Sequence, residues 1–218
     1  ILTGAVVTKP FSWEGAKRMA SCNAGLEELM PRVDASLIIP NQNLLHLVDK
    51  QTPMSQAFSL VNEVLRQAVQ GISDIIMLPG LINVDFADVK KILKGKGRAL
   101  MGTGGATSED RAVKAVRQAI HNPLLEGVTL EGARSVLVNV TGGPNVTLHE
   151  VEEAMDIIAG AANPEAEIIH GHVTDEALHD GIRVTVIAAG FDAASTPTVL
   201  QAAAAARTPA KDADAALA

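Results

Sequence analysis

The chain changes character at "PGLINVDFADVKKIL", Pro79 to Leu93. Pro-Gly is a strong helix terminator, so it ends the helical pattern that precedes it. Asp85 stands where the N-cap of a following helix would lie, and Asp88 three residues later resembles the acidic half of a capping box. Helix capping therefore accounts for two carboxylates in this stretch. It does not account for Asn83.

The same stretch carries large apolar side chains in what the sequence predicts to be a loop. Apolar residues interleaved with polar ones at an exposed turn are typical of a surface that a partner covers. We therefore keep both interpretations of Asn83, Asp85 and Asp88, as capping and turn residues or as functional residues at an interface. The apolar residues concerned are Leu81, Ile82, Val84 and Phe86.

One long helix is predicted before this break. Apolar residues recur at helical spacing from Pro53 to about Leu78, and Pro53 suits a first helical turn. A helix of this length often joins two domains. Before it, a strand at 1–8, a helix at 13–30 and a strand at 33–41 predict a parallel βαβ unit. The first strand begins without a methionine and is apolar, so we expect further strands upstream of it.

The residues after the break predict a second α/β unit with a mixed sheet. From about Ala193 the chain becomes alanine-rich and is predicted to be a disordered tail. We therefore divide the chain into 1–52, the central helix 53–78, an α/β domain 79–192 and the tail 193–218. The predicted elements of the second unit are helices at 86–93, 110–120 and 148–159 and strands at 98–101, 135–140, 167–171 and 182–188.

Composition restricts the partners. The 218 residues carry a formal net charge of −7, with 18 basic and 25 acidic residues. No dense basic cluster is present, which argues against nucleic acid or an anionic membrane as the main partner. No apolar run is long enough for direct membrane insertion. Cys22 is the only cysteine, so an internal disulfide is impossible and a reducing cytoplasm is predicted.

Three motifs are explained more simply by local structure than by ligand binding or catalysis. "MGTGGATSEDRA", Met101 to Ala112, lacks a phosphate-loop ending and is interpreted as a tight turn with Ser108 as helix N-cap. His170 and His172 share one strand face, but no carboxylate motif accompanies them, so we predict no metal site. Thr147 or Asn145 is expected to cap the following helix.

Two side-chain pairs are spaced four residues apart on predicted helices. Glu14 and Arg18 suit sugar hydroxyls and phosphate oxygens, or form a surface ion pair. Phe58 and Asn62 suit stacking on a purine and reading its edge, or are a core residue and a solvated one. The sequence leaves each choice open.

Seven stretches together resemble FtsZ, the bacterial tubulin-like cell-division GTPase family. They follow the family's order, cover about Leu2 to Asp192, and are most specific at "PGLINVDFADV". They read "VVTKPFSWEGAKRM", "IIPNQNLL", "VLRQAVQGISDIIMLPGLINVDFADVKKIL", "ALMGTGGATSEDRA", "AIHNPLLEG", "GARSVLVNVTGG" and "DGIRVTVIAAGFD".

The resemblance implies the end of a Rossmann-type GTP-binding domain, a long central helix and a C-terminal α/β domain. It also implies cytoplasmic head-to-tail filaments at the division site, with membrane-anchoring and other division proteins as partners. GTP and GDP would be the ligands, together with Mg²⁺ and, as an option, a monovalent cation. The loop after the central helix would enter the nucleotide site of the next subunit.

By the same resemblance, Asn83, Asp85 and Asp88 would position and polarise the water that attacks the γ-phosphate. Residues of the first 62 would hold the nucleotide. Glu14 would meet the ribose, and Arg18 the phosphates or the ribose edge. Phe58 would meet the base face and Asn62 the guanine edge, while Thr8, Pro10 and Asn41 would line the pocket.

This sequence departs from the family in one important way. A glycine-rich phosphate loop of the form G-G-G-T-G-T-G does not occur in it. Backbone N–H groups of such a loop cradle phosphates, so we expect this chain alone to be inactive and to bind GTP poorly. A second hypothesis follows, that the chain is a non-catalytic piece that binds and caps filaments of the intact protein. An unrelated Rossmann-type oxidoreductase is disfavoured because no dinucleotide fingerprint is present.

Overall fold

The structure, a computed structural model, describes residues 1–45, 48–49, 51–78, 80–125 and 130–191. The tail predicted at 193–218 lies outside the described residues. The strands are β1 (Gly4–Lys9), β2 (Ala35–Pro40), β3 (Gly97–Ala106), β4 (Ser135–Gly142), β5 (Glu167–Thr174) and β6 (Ile182–Ala189). The helices are α1 (Ala16–Leu29), α2 (Asn41–Leu44), α3 (Met54–Met77), α4 (Phe86–Leu93), α5 (Arg111–Ile120) and α6 (Leu148–Ala161).

A single six-stranded mixed sheet runs through the described residues in the order β1-β2-β3-β6-β4-β5. β6 is antiparallel to both of its neighbours, whereas the β1–β2, β2–β3 and β4–β5 pairs are parallel. The β2–β3 pairing is short, joining Ala35–Leu37 to Gly97–Ala99. The predicted mixed α/β fold is confirmed, and the two predicted units meet at this short ladder. The domain boundaries themselves stay a prediction.

Helix α3 packs one apolar stripe on the sheet. Val61, Ala68 and Ile75 are buried on it, as the helical spacing predicts, and Val64 is buried beside them. Gly71 permits close approach to the sheet, since a Cβ there would lie 3.1 Å from Thr185 Cγ2. The Gly71 carbonyl also accepts a hydrogen bond of 3.0 Å from Asn139 Nδ2. The first turns of α3 differ, because Met54 and Phe58 are exposed.

The interpretation of "MGTGGATSEDRA" as a tight turn is wrong. Gly102 and Gly104 lie inside β3, which pairs with β6 over eight residues. Helix α5 crosses these glycines so closely that a Cβ on Gly102 would lie 2.0 Å from the Ala119 carbonyl oxygen. The glycines therefore serve helix–strand packing. Ser108 is not the N-cap either, because the residue before α5 is Asp110, in a left-handed conformation with φ 56°.

Other caps agree with the sequence. Thr147 caps α6 in a full capping box with Glu150. Asp85 caps α4, its carboxylate accepting from the Ala87 amide at 3.3 Å. Nowhere in the described part of the chain does a helix combine the length and apolar character that a bilayer crossing requires.

Candidate functional site

The carboxyl ends of β1 and β2 lie side by side, with Thr8 opposite Ile39 and Lys9 opposite Pro40. Open α/β sheets bind ligands at this end of their strands. The two segments that follow are tied together, because the Ser12 amide and hydroxyl both donate to Gln42 Oε1, at 3.0 and 2.8 Å. The structure therefore brings Thr8, Pro10 and Asn41, predicted as pocket residues, to one edge.

Glu14 and Arg18 form an ion pair of 2.9 Å between Glu14 Oε2 and Arg18 Nη1. The other Glu14 oxygen accepts from the Phe11 amide at 2.8 Å, so this carboxylate also fixes the turn after β1. The Arg18 side chain is 71% exposed, which leaves most of its guanidinium surface open to solvent. The ion-pair interpretation is thus confirmed in geometry, and Arg18 can still meet an anion.

Three aromatic rings meet beside this edge, in a chain with only four phenylalanines and one tryptophan. Phe11 stacks on Trp13 with ring centroids 5.5 Å apart and meets Phe58 edge to face at 5.9 Å. Trp13 remains 62% exposed and Phe58 42%. Phe58 is therefore not a core residue, and an exposed aromatic platform of this kind suits stacking on a planar ligand.

A cavity of about 370 Å³ opens against these rings. Sequence reasoning identified Phe58 but missed Phe11 and Trp13 as its companions. The sequence does contain a signal, because an "F-S-W" triplet directly after a predicted strand is unusual in a chain so poor in aromatic residues. The cavity is lined by Phe11, Trp13, Leu45, Val48, Asp49, Thr52, Met54, Ala57 and Phe58.

Asn41 is a buried amide at the start of α2 whose Oδ1 atom has no hydrogen-bond partner among the described residues. A buried acceptor without a donor costs about 1–3 kcal/mol, so such groups are rare outside functional positions. Asn62 lies one turn after Phe58 on α3 and is exposed. Asn62 is thus accessible to a ligand from the helix surface, whereas Asn41 Oδ1 is enclosed by the fold.

The second set of predicted residues lies in the loop 80–85 and in α4. Asn83 Oδ1 accepts from the Gly80 amide at 2.9 Å and closes the turn. Asp85 caps α4 with its Oδ1 atom. Asp88 is exposed in the first turn of α4. Among the described residues, the Asp88 carboxylate accepts no hydrogen bond from the Asp85 amide. The predicted capping box is therefore incomplete, with only the Asp85 cap formed.

The apolar residues of this loop divide between surface and interior. Leu81 and Phe86 are exposed, as the interface interpretation predicted, and Met77 beside them is exposed as well. Val84 is buried in the same core cluster as Ile75 of α3, and Ile82 packs against the cluster on the other face of the sheet. The loop thus attaches to the sheet through two residues and presents the others outward.

The two sets of predicted site residues lie at opposite ends of α3. Phe58 and Met54 are in its first turns, whereas the 80–85 loop follows its last residue, Met77. A helix of 24 residues is about 36 Å long at 1.5 Å per residue. One chain therefore cannot bring Asn83, Asp85 and Asp88 to a ligand bound on its own aromatic platform.

Metal-binding side chains do not converge in the described residues, where no group of three or more His, Cys, Asp or Glu could hold an ion. His170 is half-buried and His172 is buried in β5. Desolvation lowers the pKa of His172 below its usual 6.5. The described residues therefore contain no metal site built from side chains alone.

Comparisons with known proteins agree with this architecture. Residues 97–192 match the model of the FtsZ family, C-terminal domain. The chain is 50% identical over 195 residues to the cell division protein FtsZ of Caulobacter vibrioides, covering 89% of this chain and 38% of that protein. Thus the chain spans well under half of the length of that curated relative.

Solved structures show the same fold. The empty FtsZ dimer of M. jannaschii superposes with a TM-score of 0.82 at 41% identity, covering 87% of this chain and 55% of that one. CetZ2 from Haloferax volcanii, solved as a GTPγS-bound protofilament, matches with a TM-score of 0.68 at 19% identity, which supports the fold alone. The fold is therefore that of the tubulin-like α/β proteins. Within that class, this chain belongs to the FtsZ family.

Proposed function

We propose that this chain is part of a self-polymerising cell-division protein that hydrolyses GTP at the interface between stacked subunits. The observation that carries the proposal is the separation of the two residue sets by α3, about 36 Å at 1.5 Å per residue. A site built from both sets requires two molecules in head-to-tail contact. Head-to-tail contacts propagate into open filaments when the rotation between neighbouring subunits does not close a ring.

The aromatic platform is the proposed base site. Phe58 contacts the base face, and Phe11 holds the Phe58 ring edge to face. Asn62 reads the guanine edge from the neighbouring turn of α3. Asn41 lines the pocket from the start of α2. Arg18 meets the phosphates or the ribose edge, and Glu14 the ribose. Thr8 and Pro10 line the pocket.

The loop 80–85 and α4 are the proposed source of hydrolytic groups for the next subunit's nucleotide. Asn83 uses its Oδ1 internally and retains its Nδ2 donors, whereas Asp85 retains Oδ2 and Asp88 both carboxylate oxygens. These acceptors orient a water and take up its proton as its oxygen forms a bond to the γ-phosphorus. The bond from phosphorus to the β–γ bridging oxygen breaks, and GDP leaves.

The described residues of this chain do not form a dedicated Mg²⁺ site of three or more side chains. Mg²⁺ takes oxygen ligands in octahedral geometry and is often held by few carboxylates plus substrate phosphates. Asp85 and Asp88 are not joined by a third acidic or histidine ligand in the described residues. A bound Mg²⁺ would therefore take most of its ligands from the nucleotide phosphates and from water.

The remaining partners are proposed from family membership. A second copy of the chain follows from the divided site. Membrane-anchoring and other division proteins, at a cytoplasmic division site, are expected partners of the complete protein.

The test is complementation by a separately produced N-terminal part that carries a glycine-rich phosphate loop. Mixing it with this chain should produce GTP turnover, which Asp85→Ala should abolish. Asp88→Ala should also remove turnover while leaving nucleotide affinity unchanged, because its carboxylate acts on the neighbour's nucleotide. A parallel loss of affinity would contradict action between subunits.

The alternative, a non-catalytic chain that caps filaments, rests on the exposed Leu81 and Phe86 beside the loop. Adding the chain to filaments of the intact relative separates the two hypotheses. A capping chain shortens filaments at substoichiometric ratios and shows no turnover in the complementation mixture. An enzyme part restores turnover.

A further inference from the structure

The 80–85 loop is hydrogen-bonded to the edge of the sheet at His172 of β5. The His172 amide donates to the Ile82 carbonyl oxygen at 2.9 Å, and the two residues form an isolated antiparallel bridge. Gly80 lies against the same residue, since a Cβ on it would be 1.6 Å from the His172 carbonyl oxygen. β5 pairs with β4 on its other side, so this bridge is what covers its outer edge at His172.

The His172 side chain enters an apolar environment. It is 2% exposed, and neither ring nitrogen has a hydrogen-bond partner among the described residues. His172 lies opposite Val140 of β4 and therefore shares its face of the sheet. Val140 belongs to the cluster against which Ile82 packs. A buried imidazole without a partner is compatible with this site only in its neutral form.

We propose that His172 is a positioning residue whose neutral, buried imidazole keeps the 80–85 loop on β5, and that protonation of this imidazole releases the loop. The inference deepens the proposed function and rests on it for its catalytic meaning, because Asn83 and Asp85 belong to the released segment. The position in which the loop offers Asn83 and Asp85 to a neighbouring subunit therefore depends on pH.

The groups around His172 offer no counter-charge. On its own strand face, the titratable neighbour is the half-buried His170. β4 presents Val140 and the loop presents Ile82, and the same cluster takes Val151, Ala154 and Met155 from α6. The charged residues of α6 pair with other groups or face solvent. Glu150 pairs with Arg111. His149 lies beside Glu152 and Glu153, and Asp156 is exposed. A proton on His172 would remain unpaired.

The direction of the pH effect follows from linkage. Desolvation lowers the pKa of His172 when the loop is closed, relative to 6.5 for an open, solvated imidazole. The open state therefore binds more protons. The closed position of the loop is fully favoured above pH 6.5. Below pH 6.5 the equilibrium constant for loop opening rises by up to about tenfold per pH unit.

The test is amide hydrogen exchange on the chain as it stands, without nucleotide, between pH 7.5 and 5.5. The His172 amide reports the bridge to Ile82, and its protection factor, corrected for intrinsic exchange, should fall about three- to tenfold at pH 5.5. His172→Leu, which cannot be protonated, should lose this pH dependence. His170→Leu, on the same strand face, should retain it. The Met101 amide in β3 reports global unfolding and should stay protected.

Equal pH dependence in the unmodified chain and in His172→Leu overturns the inference, as does a parallel loss of protection at Met101. Should His172→Leu not fold, the ¹³Cε1 resonance of His172 in the unmodified chain supplies the answer. A midpoint below 6.5 that coincides with the loss of amide protection supports the inference, and a midpoint at 6.5 or above overturns it. Because none of these measurements involves GTP, they remain separate from the complementation test of the proposed function.

Discussion

Arg111 and Glu150 form a double hydrogen-bonded ion pair between α5 and α6, with Nε–Oε1 at 2.6 Å and Nη2–Oε2 at 3.0 Å. The remaining guanidinium donors reach the Asp180 carbonyl oxygen at 2.6 Å and the Asn145 side chain at 3.0 Å. One largely buried cation thus joins two helices to the turns before α6 and β6.

Replacing Arg111 by alanine should lower the free energy of unfolding by about 3–5 kcal/mol, because it leaves a partly buried carboxylate and several acceptors without a donor. The side chains of this pair are only 11% and 22% exposed. Denaturant unfolding measures the change. Arg66→Ala is the matched control, since its pair with Glu63 is 54% and 41% exposed and should cost less than about 1 kcal/mol. Similar losses in both variants would contradict this assignment.

The free energy of unfolding should fall at acidic pH because the Glu150 carboxylate becomes protonated. The bond from Arg111 lowers the pKa of the Glu150 carboxylate from 4.5 to about 2. The stabilisation is present above pH 4.5 and is lost as the pH falls through about 2, amounting to about 3 kcal/mol at 1.36 kcal/mol per pKa unit. Unfolding free energies at pH 7, 4 and 3 should show a slope that Glu150→Gln removes.

Glu63 provides the contrast for that experiment. Its pKa is also lowered to about 2, by hydrogen bonds from Arg66 and Gln67, but it lies on the surface of α3, where solvent screens the charge. Glu63→Gln should therefore leave the acid slope almost unchanged. A slope that disappears with Glu63→Gln and persists in Glu150→Gln would reverse the assignment.

Asn41→Leu should stabilise the chain by up to about 1–3 kcal/mol, because it removes a buried acceptor that has no donor. The same change should abolish guanine nucleotide binding in the complementation mixture. Asn139→Leu is the control, because this buried amide donates to the Gly71 carbonyl oxygen at 3.0 Å and its loss should destabilise. Destabilisation of equal size in both variants would show that Asn41 has an internal structural role.

Gly80→Ala should displace the 80–85 loop, because its Cβ would lie 1.6 Å from the His172 carbonyl oxygen, closer than any real contact. Turnover in the complementation mixture should be lost while nucleotide affinity is retained. Gly160→Ala in α6 is the control, since a Cβ there meets nothing within 4 Å. An active Gly80→Ala mixture would show that the loop position is not required.

Local patterns predicted most of the elements correctly. The stripe of α3 and the caps Asp85 and Thr147 depend on neighbouring residues, so helical spacing and capping chemistry identify them without a fold. The turn prediction for the glycines of β3 is wrong because a Gly-rich turn and a strand covered closely by a helix look alike in sequence. Only the approach of α5 distinguishes them.

The candidate site also combines residues that the sequence identifies with relationships that only the fold determines. Phe58, Asn62, Asn83, Asp85 and Asp88 are all identified by motif, because their spacing along one helix or one loop is a property of the chain itself. Which of them can act together depends on the length of α3 and on where its ends lie in the fold. The meeting of Phe11 with Phe58, the orphaned oxygen of Asn41 and the bridge from Ile82 to His172 all join residues distant in sequence. Such contacts arise from sheet order and helix packing, which no local pattern encodes.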